Sequence, residues 1–395
     1  MHQRVHRVLI PGAVLGVAGL GAADPPGFDV REGYRVSVVI DDLPGARFLA
    51  FDDNGTLLVT RPQVRGEGRR RNGDIASFRD EDGDGVYERI GTFVDDKPSV
   101  HGIQVVDGWV WFTTSDAVYR GRDTNADGVA DEVVTVLSDL PSGGHWWRPI
   151  LVTGDHFYTS VGDGGNITDQ RDTDRQKIWI YDLDGSNKRL YCSGIRNTEK
   201  LLVRPGTDEI WGFDHGSDWF GRELGDEQGN QPITDLNPPD ELNKYVQDGF
   251  YGHPFVVGNR LVRYEFMEME GIHELAAQTI PPEWPMGAHW ACNGWTFIDP
   301  KVNQATGAMP SDHEGDIFVA AHGSWNSGPM VGYCVARVLF DDAKPYGMLK
   351  IVSTLDSDGR SVHGRPADVI QAPDGTLLFS DDHSGRVYRI EHVGD

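Results

Sequence analysis

Apolar residues in this chain come in short alternating runs, broken by turns rich in Asp, Asn and Gly. One phrase returns six times: an apolar run, a turn, a second apolar run, then a small or acidic end. Five copies are continuous: Phe48 to Thr60, Ile103 to Thr114, Ile150 to Val161, Leu201 to Gly212, and Val369 to Ser380. The remaining copy is split, with Trp295 to Ile298 in one half and Gly315 to Ala320 in the other. Alternation on both sides of a tight turn is a β-hairpin signal. Further strand candidates follow the hairpins, such as Gly73 to Phe78 and Lys177 to Asp182. The pattern predicts an all-β fold, a six-bladed β-propeller of four-stranded antiparallel blades. A pair of β-sandwiches is the alternative. Arg386 to Glu391 is expected to pair with Tyr34 to Val39 and close the ring, which removes open sheet edges. A helical period shows only in a short piece from Gly271 to Ala277.

Composition narrows the function classes. The chain of 395 residues carries 61 acids against 36 Lys and Arg, for a net charge of −25. Phosphate binding needs a basic face, so nucleic acid is not an expected partner. Residues 1–23 read as a signal peptide. Arg4 and Arg7 form a basic start, Val8 to Leu20 is apolar, and Gly21-Ala22-Ala23 offers small residues for cleavage. No later apolar run is long enough to span a bilayer, so stable membrane insertion is not expected. Residues 24–395 are then the propeller domain, in a periplasm or the medium. Cys192, Cys292 and Cys334 form neither a CxxC nor a haem-attachment pattern. Three buried thiols are expected, with one disulfide the alternative.

Two loops carry carboxylates on alternate positions, the oxygen-rich pattern that suits Ca²⁺. They are Asp80-Glu81-Asp82-Gly83-Asp84-Gly85 with Glu88, and Asp123-Thr124-Asn125-Ala126-Asp127-Gly128 with Asp131. Neither has the bidentate Glu of an EF-hand, and plain acidic hairpin tips are the simpler reading. Elsewhere, His145 precedes an inner-strand candidate, where a side chain faces the top of a propeller's funnel. A neutral imidazole there can accept a hydroxyl proton. Arg148 follows it, then Gly194-Ile195-Arg196-Asn197, Asp214-His215-Gly216-Ser217, Pro238-Pro239-Asp240-Glu241-Leu242-Asn243 and Gly249-Phe250-Tyr251-Gly252-His253-Pro254. His322-Gly323-Ser324-Trp325-Asn326 and Gly364-Arg365-Pro366-Ala367-Asp368 come near the end.

In this order those phrases resemble the soluble PQQ-dependent sugar dehydrogenases, the glucose, aldose and sorbosone dehydrogenase-like family. The Pro-Pro-Asp-Glu-Leu-Asn and His-Gly-Ser-Trp-Asn phrases look closest to the sorbosone and pyranose dehydrogenase branch. The resemblance covers about residues 30 to 392. It implies pyrroloquinoline quinone (PQQ) and Ca²⁺ as cofactors, and oxidation of an aldose C1 hydroxyl or hydrated aldehyde by hydride transfer. It also implies a small sugar as substrate and an external electron acceptor, a cytochrome or a quinone.

Carried over residue by residue, His145 would be the base, and Arg196 and Asn197 would contact the quinone. The Gly216 and Ser217 carbonyls would bind the Ca²⁺ that also grips the cofactor. Arg365 would pair with a PQQ carboxylate, and Asp240 and Glu241 would hold a second, structural Ca²⁺. A tricarboxylate in so acidic a protein needs local cations, and Arg148, Arg196 and Arg365 are the candidates. Trp146, Trp147 and Trp325 are candidates to stack on a sugar. Three positions depart from the family pattern: Gly144 where Asp often precedes the base, Ala367 where a second Arg often stands, and Ser217 where Pro often follows His-Gly. A Ca²⁺-dependent sugar lactonase and a non-catalytic binding propeller are the alternatives. The Gly-x-Arg-Asn and Gly-Arg-Pro phrases argue against the first.

Overall fold

In the computed structural model, which describes residue 25 and residues 27–66, 69–220 and 233–394, adjacent residues of one strand go to different cores. Leu57 and Val59 enter one apolar cluster and Leu58 the next. Ile317, Val319 and Ala321 face one neighbour while Phe318 and Ala320 face the other. Side chains of a strand alternate between its two faces. A sheet buried on both sides therefore joins two cores at once.

Six such sheets form a ring, a six-bladed β-propeller. The inner strands of blades 1 to 6 are Leu49–Phe51, Ile103–Val106, Leu151–Thr153, Thr198–Val203, Cys292–Phe297 and Pro366–Gln371. Each starts an antiparallel blade that steps outward in chain order. Six apolar clusters lie between adjacent blades. The ring closes as the sequence predicts: Tyr34–Ile40 pairs antiparallel with Arg386–His392, so blade 6 takes its outer strand from the start of the domain. The six repeated phrases coincide with the inner two strands of the six blades.

The departures are additions to this frame. Asp29–Val30 adds a fifth strand to blade 5. Gly249–Phe250 runs back from blade 4 and pairs parallel with Cys192 and Ser193 of blade 3. That return carries Tyr251 to His253 under the top of blade 3. The expected helical piece is Ile272–Gln278, packed in a small core with Phe255 and Val256. Pro300–Thr306, capped by Asp299, splits the blade 5 hairpin. Three buried cysteines are unpaired, and burial pushes the Cys334 thiol up to about 12. No helix among the described residues is long and apolar enough to cross a membrane. The expected signal peptide lies outside the described residues.

Both acidic loops join the third and outer strands of blades 1 and 2, which places them on the face opposite the inner-strand lead-ins. Their carboxylates cap their own backbones. Asp80 accepts from the Gly83 and Gly85 amides, and Asp123 accepts from those of Asn125, Ala126 and Gly128. Asp80, Asp82 and Asp84 have ligand oxygens within 4.8 Å of one another. The intraloop hydrogen bonds account for the Asp-x-Asp/Asn-x-Asp-Gly spacing that both loops share.

Candidate active site

Each blade contributes a polar side chain from the lead-in or first residues of its inner strand: Arg47, His101, His145, Arg196, Asn293 and Arg365, in blade order, with His145 well ahead of Leu151 and Asn293 second in its strand. The loops between second and third strands open on the same face and add Asp163, Asp214, His215, His322 and Asp382. Strand faces are used up by the inter-blade cores. The lead-ins are therefore where a blade can present polar chemistry to the central funnel.

On the blade 3 side, His145 is held by one residue twice. Its backbone N–H and its Nδ1 both bond the Asp163 carbonyl, at 2.8 and 3.0 Å. A carbonyl only accepts, so Nδ1 carries the proton and Nε2 is the free base. Burial, helped by the Arg196 charge, lowers its pKa to about 3. Gly144 is required beside it. Its φ is +62°, and a Cβ there would sit 2.5 Å from the Asp163 carbonyl oxygen. The Asp of the family pattern has no room on this backbone. Asp163 itself is fully buried and bonds His253 Nε2 at 2.6 Å and Gln176 Nε2 at 3.0 Å. Burial alone would raise its carboxyl, but these donors hold it at about 2. His253 is lowered to about 4 by burial.

Blade 4 supplies Arg196 and Asn197. The Arg196 guanidinium is 3% exposed and donates to the Asn166 carbonyl, Asn166 Oδ1 and the Gly216 carbonyl at 3.1, 2.9 and 2.8 Å. The Asn197 amide nitrogen contacts Glu199 and His215 at 3.2 and 3.0 Å, while its buried Oδ1 has no partner.

Below lies a small cavity, about 20 Å³, lined in part by Asp214, Gly216, Ser217 and Glu241. Asp214 and Glu241 face each other across adjacent strands. Burial raises Asp214 to about 6, and burial plus the Asp214 charge raise Glu241 to about 8. Asp214 takes only amide and hydroxyl donors, and Glu241 takes the Gly258 amide. Two buried carboxyls opposed in this way form an oxygen set suited to a hard cation. Gly216 sits where any Cβ would lie 2.8 Å from the carbonyls of Pro238 and Pro239, so carbonyl oxygens converge there too. Asp240 turns away from Glu241. It braces the loop by accepting from the Gly216 and Cys292 amides at 2.9 and 3.0 Å. The Ser217 hydroxyl bonds the Trp219 carbonyl and Arg263.

Blades 1, 3, 5 and 6 line a larger cavity, about 520 Å³, with Arg47, Trp147, His322, Arg365 and Asp382 among its residues. Arg47 donates to Asp382 at 2.9 Å and to Glu199 at 3.1 Å, so it spans the funnel from blade 1 to blades 6 and 4. His322 Nε2 lies 3.0 and 3.1 Å from the two Asp382 oxygens. Burial opposes both acids' charges, but the cation and imidazoles beside them hold Glu199 and Asp382 well below the usual carboxylate range. Arg365 is propped by the His322 and Gly323 carbonyls at 3.1 Å each.

The sequence-predicted residues thus divide. His145, Arg196 and Asn197 meet on the blade 3 and 4 wall, Gly216, Ser217 and Glu241 meet below them, and Arg365 lies on the far wall. Arg148 is elsewhere. It is 1% exposed, and its guanidinium donates to the carbonyls of Ser115, Ser160 and Pro141. Trp147 is flanked by Trp146 at 3.8 Å, Arg47 at 4.6 Å and His101 at 4.7 Å. These neighbours pack on its ring, which still lines the 520 Å³ cavity, whereas Trp325 is 70% exposed. Sequence reasoning passed over Arg47, His101, Glu199 and Asp382. Aligning the six repeats on the two residues before each inner strand would have brought out Arg47 and His101, which stand two ahead of their strands as Arg196 does.

Residues 28–393 match a family described as TrAA12-like. A curated relative, the pyrroloquinoline quinone-dependent pyranose dehydrogenase of Coprinopsis cinerea, is 23% identical over 416 aligned positions, 92% of this chain and 54% of that protein. The chain spans about half the length of the curated relatives it matches. A calcium structure of Trichoderma reesei carbohydrate-active enzyme family AA12 superposes with a TM-score of 0.77 at 18% identity, covering 95% of this chain and 99% of that one. The holo form of the pyranose dehydrogenase PQQ domain from Coprinopsis cinerea gives 0.77 at 20% identity, covering 94% and 99%. At such identities the likeness is one of fold.

Proposed function

Because the chain belongs to the TrAA12-like family, we propose that it is a sugar oxidoreductase that works with PQQ and Ca²⁺ in the propeller funnel. The observation that carries this reading is the meeting of a free-base imidazole, His145, with a buried guanidinium, Arg196, beside an unpartnered buried Asn197 Oδ1.

The residues present fit both cofactors. A planar tricarboxylate quinone needs cations and a cavity, and Arg365 lines one of about 520 Å³. Asn197 Oδ1 is an orphaned polar atom of the kind a ligand satisfies. For Ca²⁺, the Gly216 carbonyl, Glu241 and Asp214 supply oxygens, and a divalent ion would offset the repulsion that raises both acids. Asp240 serves that site indirectly, through the Gly216 amide. When bound, PQQ accepts the hydride. His145 takes the proton of the C1 hydroxyl at Nε2, its other nitrogen fixed by Asp163. Arg196 stabilises negative charge developing at the reacting oxygen, in a site dry enough for that charge to count. Trp325 offers an exposed ring to a sugar's apolar face. Electrons leave to an external acceptor, a cytochrome or quinone. The reading includes export to a periplasm or the medium, which N-terminal sequencing of natively made protein tests by a start near Asp24.

Purified protein should reduce a dye with aldoses after PQQ and Ca²⁺ are added together, and lose that activity on chelation. Absence of turnover with both cofactors bound would refute the assignment. Lactone hydrolysis without PQQ would replace it.

A further inference from the structure

We propose that Arg47 of blade 1 is a second carboxylate-binding cation for the quinone, doing what Ala367 cannot. The inference rests on the cofactor assignment above and adds a residue to it.

Three carboxylates on one rigid ring system call for more than one guanidinium. Blade 6 provides Arg365, and two residues on, Ala367 is fully buried and uncharged. Arg148 and Arg196 do not line the 520 Å³ cavity. Arg148 gives its donors to three carbonyls turned away from the cavity. Arg196 is engaged by Asn166 and the Gly216 carbonyl on the opposite wall. Arg47 and Arg365 are the two arginines lining the 520 Å³ cavity.

Arg47 is built as a site rather than as a surface charge. It is 6% exposed and lies 4.6 Å over the Trp147 ring. Asp382 holds one terminal nitrogen; Glu199 and Asn293, the latter with its amide turned to suit, hold the other. Its Nε–H is buried without a partner. Glu199 sits in the blade 4 inner strand and Asp382 beside blade 6, so carboxylates from two other blades fix the guanidinium near the funnel axis. A donor placed in advance loses little entropy when a ligand arrives.

The test is direct binding of PQQ to the purified full chain with Ca²⁺ present, followed by tryptophan fluorescence and equilibrium dialysis. Arg47→Met should weaken binding by about ten- to a hundredfold, the effect of losing a charged hydrogen bond. Arg365→Met should do the same, and Arg47→Lys should fall between, keeping the charge and losing the planar fork. Removal of Arg47 takes a cation from both Glu199 and Asp382; Asp382 keeps His322 beside it, so Arg47→Met with Glu199→Gln is made in parallel. That pair should restore the melting temperature while PQQ binding stays weak. Wild-type PQQ affinity in both Arg47→Met forms, with Arg365→Met weakened, overturns this proposal alone. No PQQ binding by the wild-type chain overturns the cofactor assignment and this inference with it.

Discussion

Replacing Arg148 with Met should cost stability and leave the cofactor site intact. Its guanidinium satisfies the carbonyls of Ser115, Ser160 and Pro141, which tie the tops of blades 2 and 3 together. A buried carbonyl left without a donor costs about 1–3 kcal/mol, so three cost about 6 kcal/mol in the middle of the range. An opposing effect must be subtracted. Burial lowers the Arg148 pKa from 12.5 to about 10. At neutral pH the group stays charged in both states, and such a shift is a penalty of about 3 kcal/mol that the mutant no longer carries. The net loss is about 3 kcal/mol. At about 2.1 cal/mol/K per residue the unfolding entropy of a chain this size is about 0.8 kcal/mol/K, so the melting temperature should fall by about 4 °C. Differential scanning calorimetry reads that shift, and PQQ titration of the folded mutant reads the site. Unchanged melting with PQQ binding lost would show that Arg148 faces the cofactor and that its carbonyl contacts carry no weight.

His145→Ala should keep the fold and PQQ binding and slow quinone reduction by roughly 10²–10⁴, measured by stopped flow; a wild-type rate would remove His145 as the base. Glu241→Gln should abolish Ca²⁺-dependent stabilisation, which for a ligand bound only by the folded chain follows mass action; a melting temperature that still rises with Ca²⁺ as in wild type would exclude Glu241 from the metal site. His101, buried between Phe48 and Trp147, is lowered to about 4 by burial. Between pH 6.5 and 4 the unfolded chain binds the extra proton, so stability should fall through that window as pH drops, by about 3 kcal/mol from this group. His101→Phe should flatten this part of the acid limb, and an unchanged limb would refute the burial argument.

The frame of the propeller was legible from the chain alone. Short apolar runs interrupted by tight turns marked six hairpins, because a strand buried on both faces is apolar at successive positions and its turns are polar. The pairing of Tyr34–Ile40 with Arg386–His392 followed from leftover strands at each end of a ring that needs closing. Arg196 and Arg365 were legible because each stands within two residues of a recognisable inner strand, and His145 because it lies in the segment leading into one. Tertiary structure alone decided which way such lead-in residues turn. Arg148 is three residues from His145, yet its side chain runs into backbone carbonyls of blades 2 and 3. Asp240 and Glu241 are neighbours in a strand and therefore point to opposite faces, one bracing a loop and one facing Asp214. Arg47, Glu199 and Asp382 are far apart in the chain and meet because ring closure brings blades 1, 4 and 6 to one axis. Local pattern carries period and turn chemistry; the partner of a buried charge is set by closure of the whole ring.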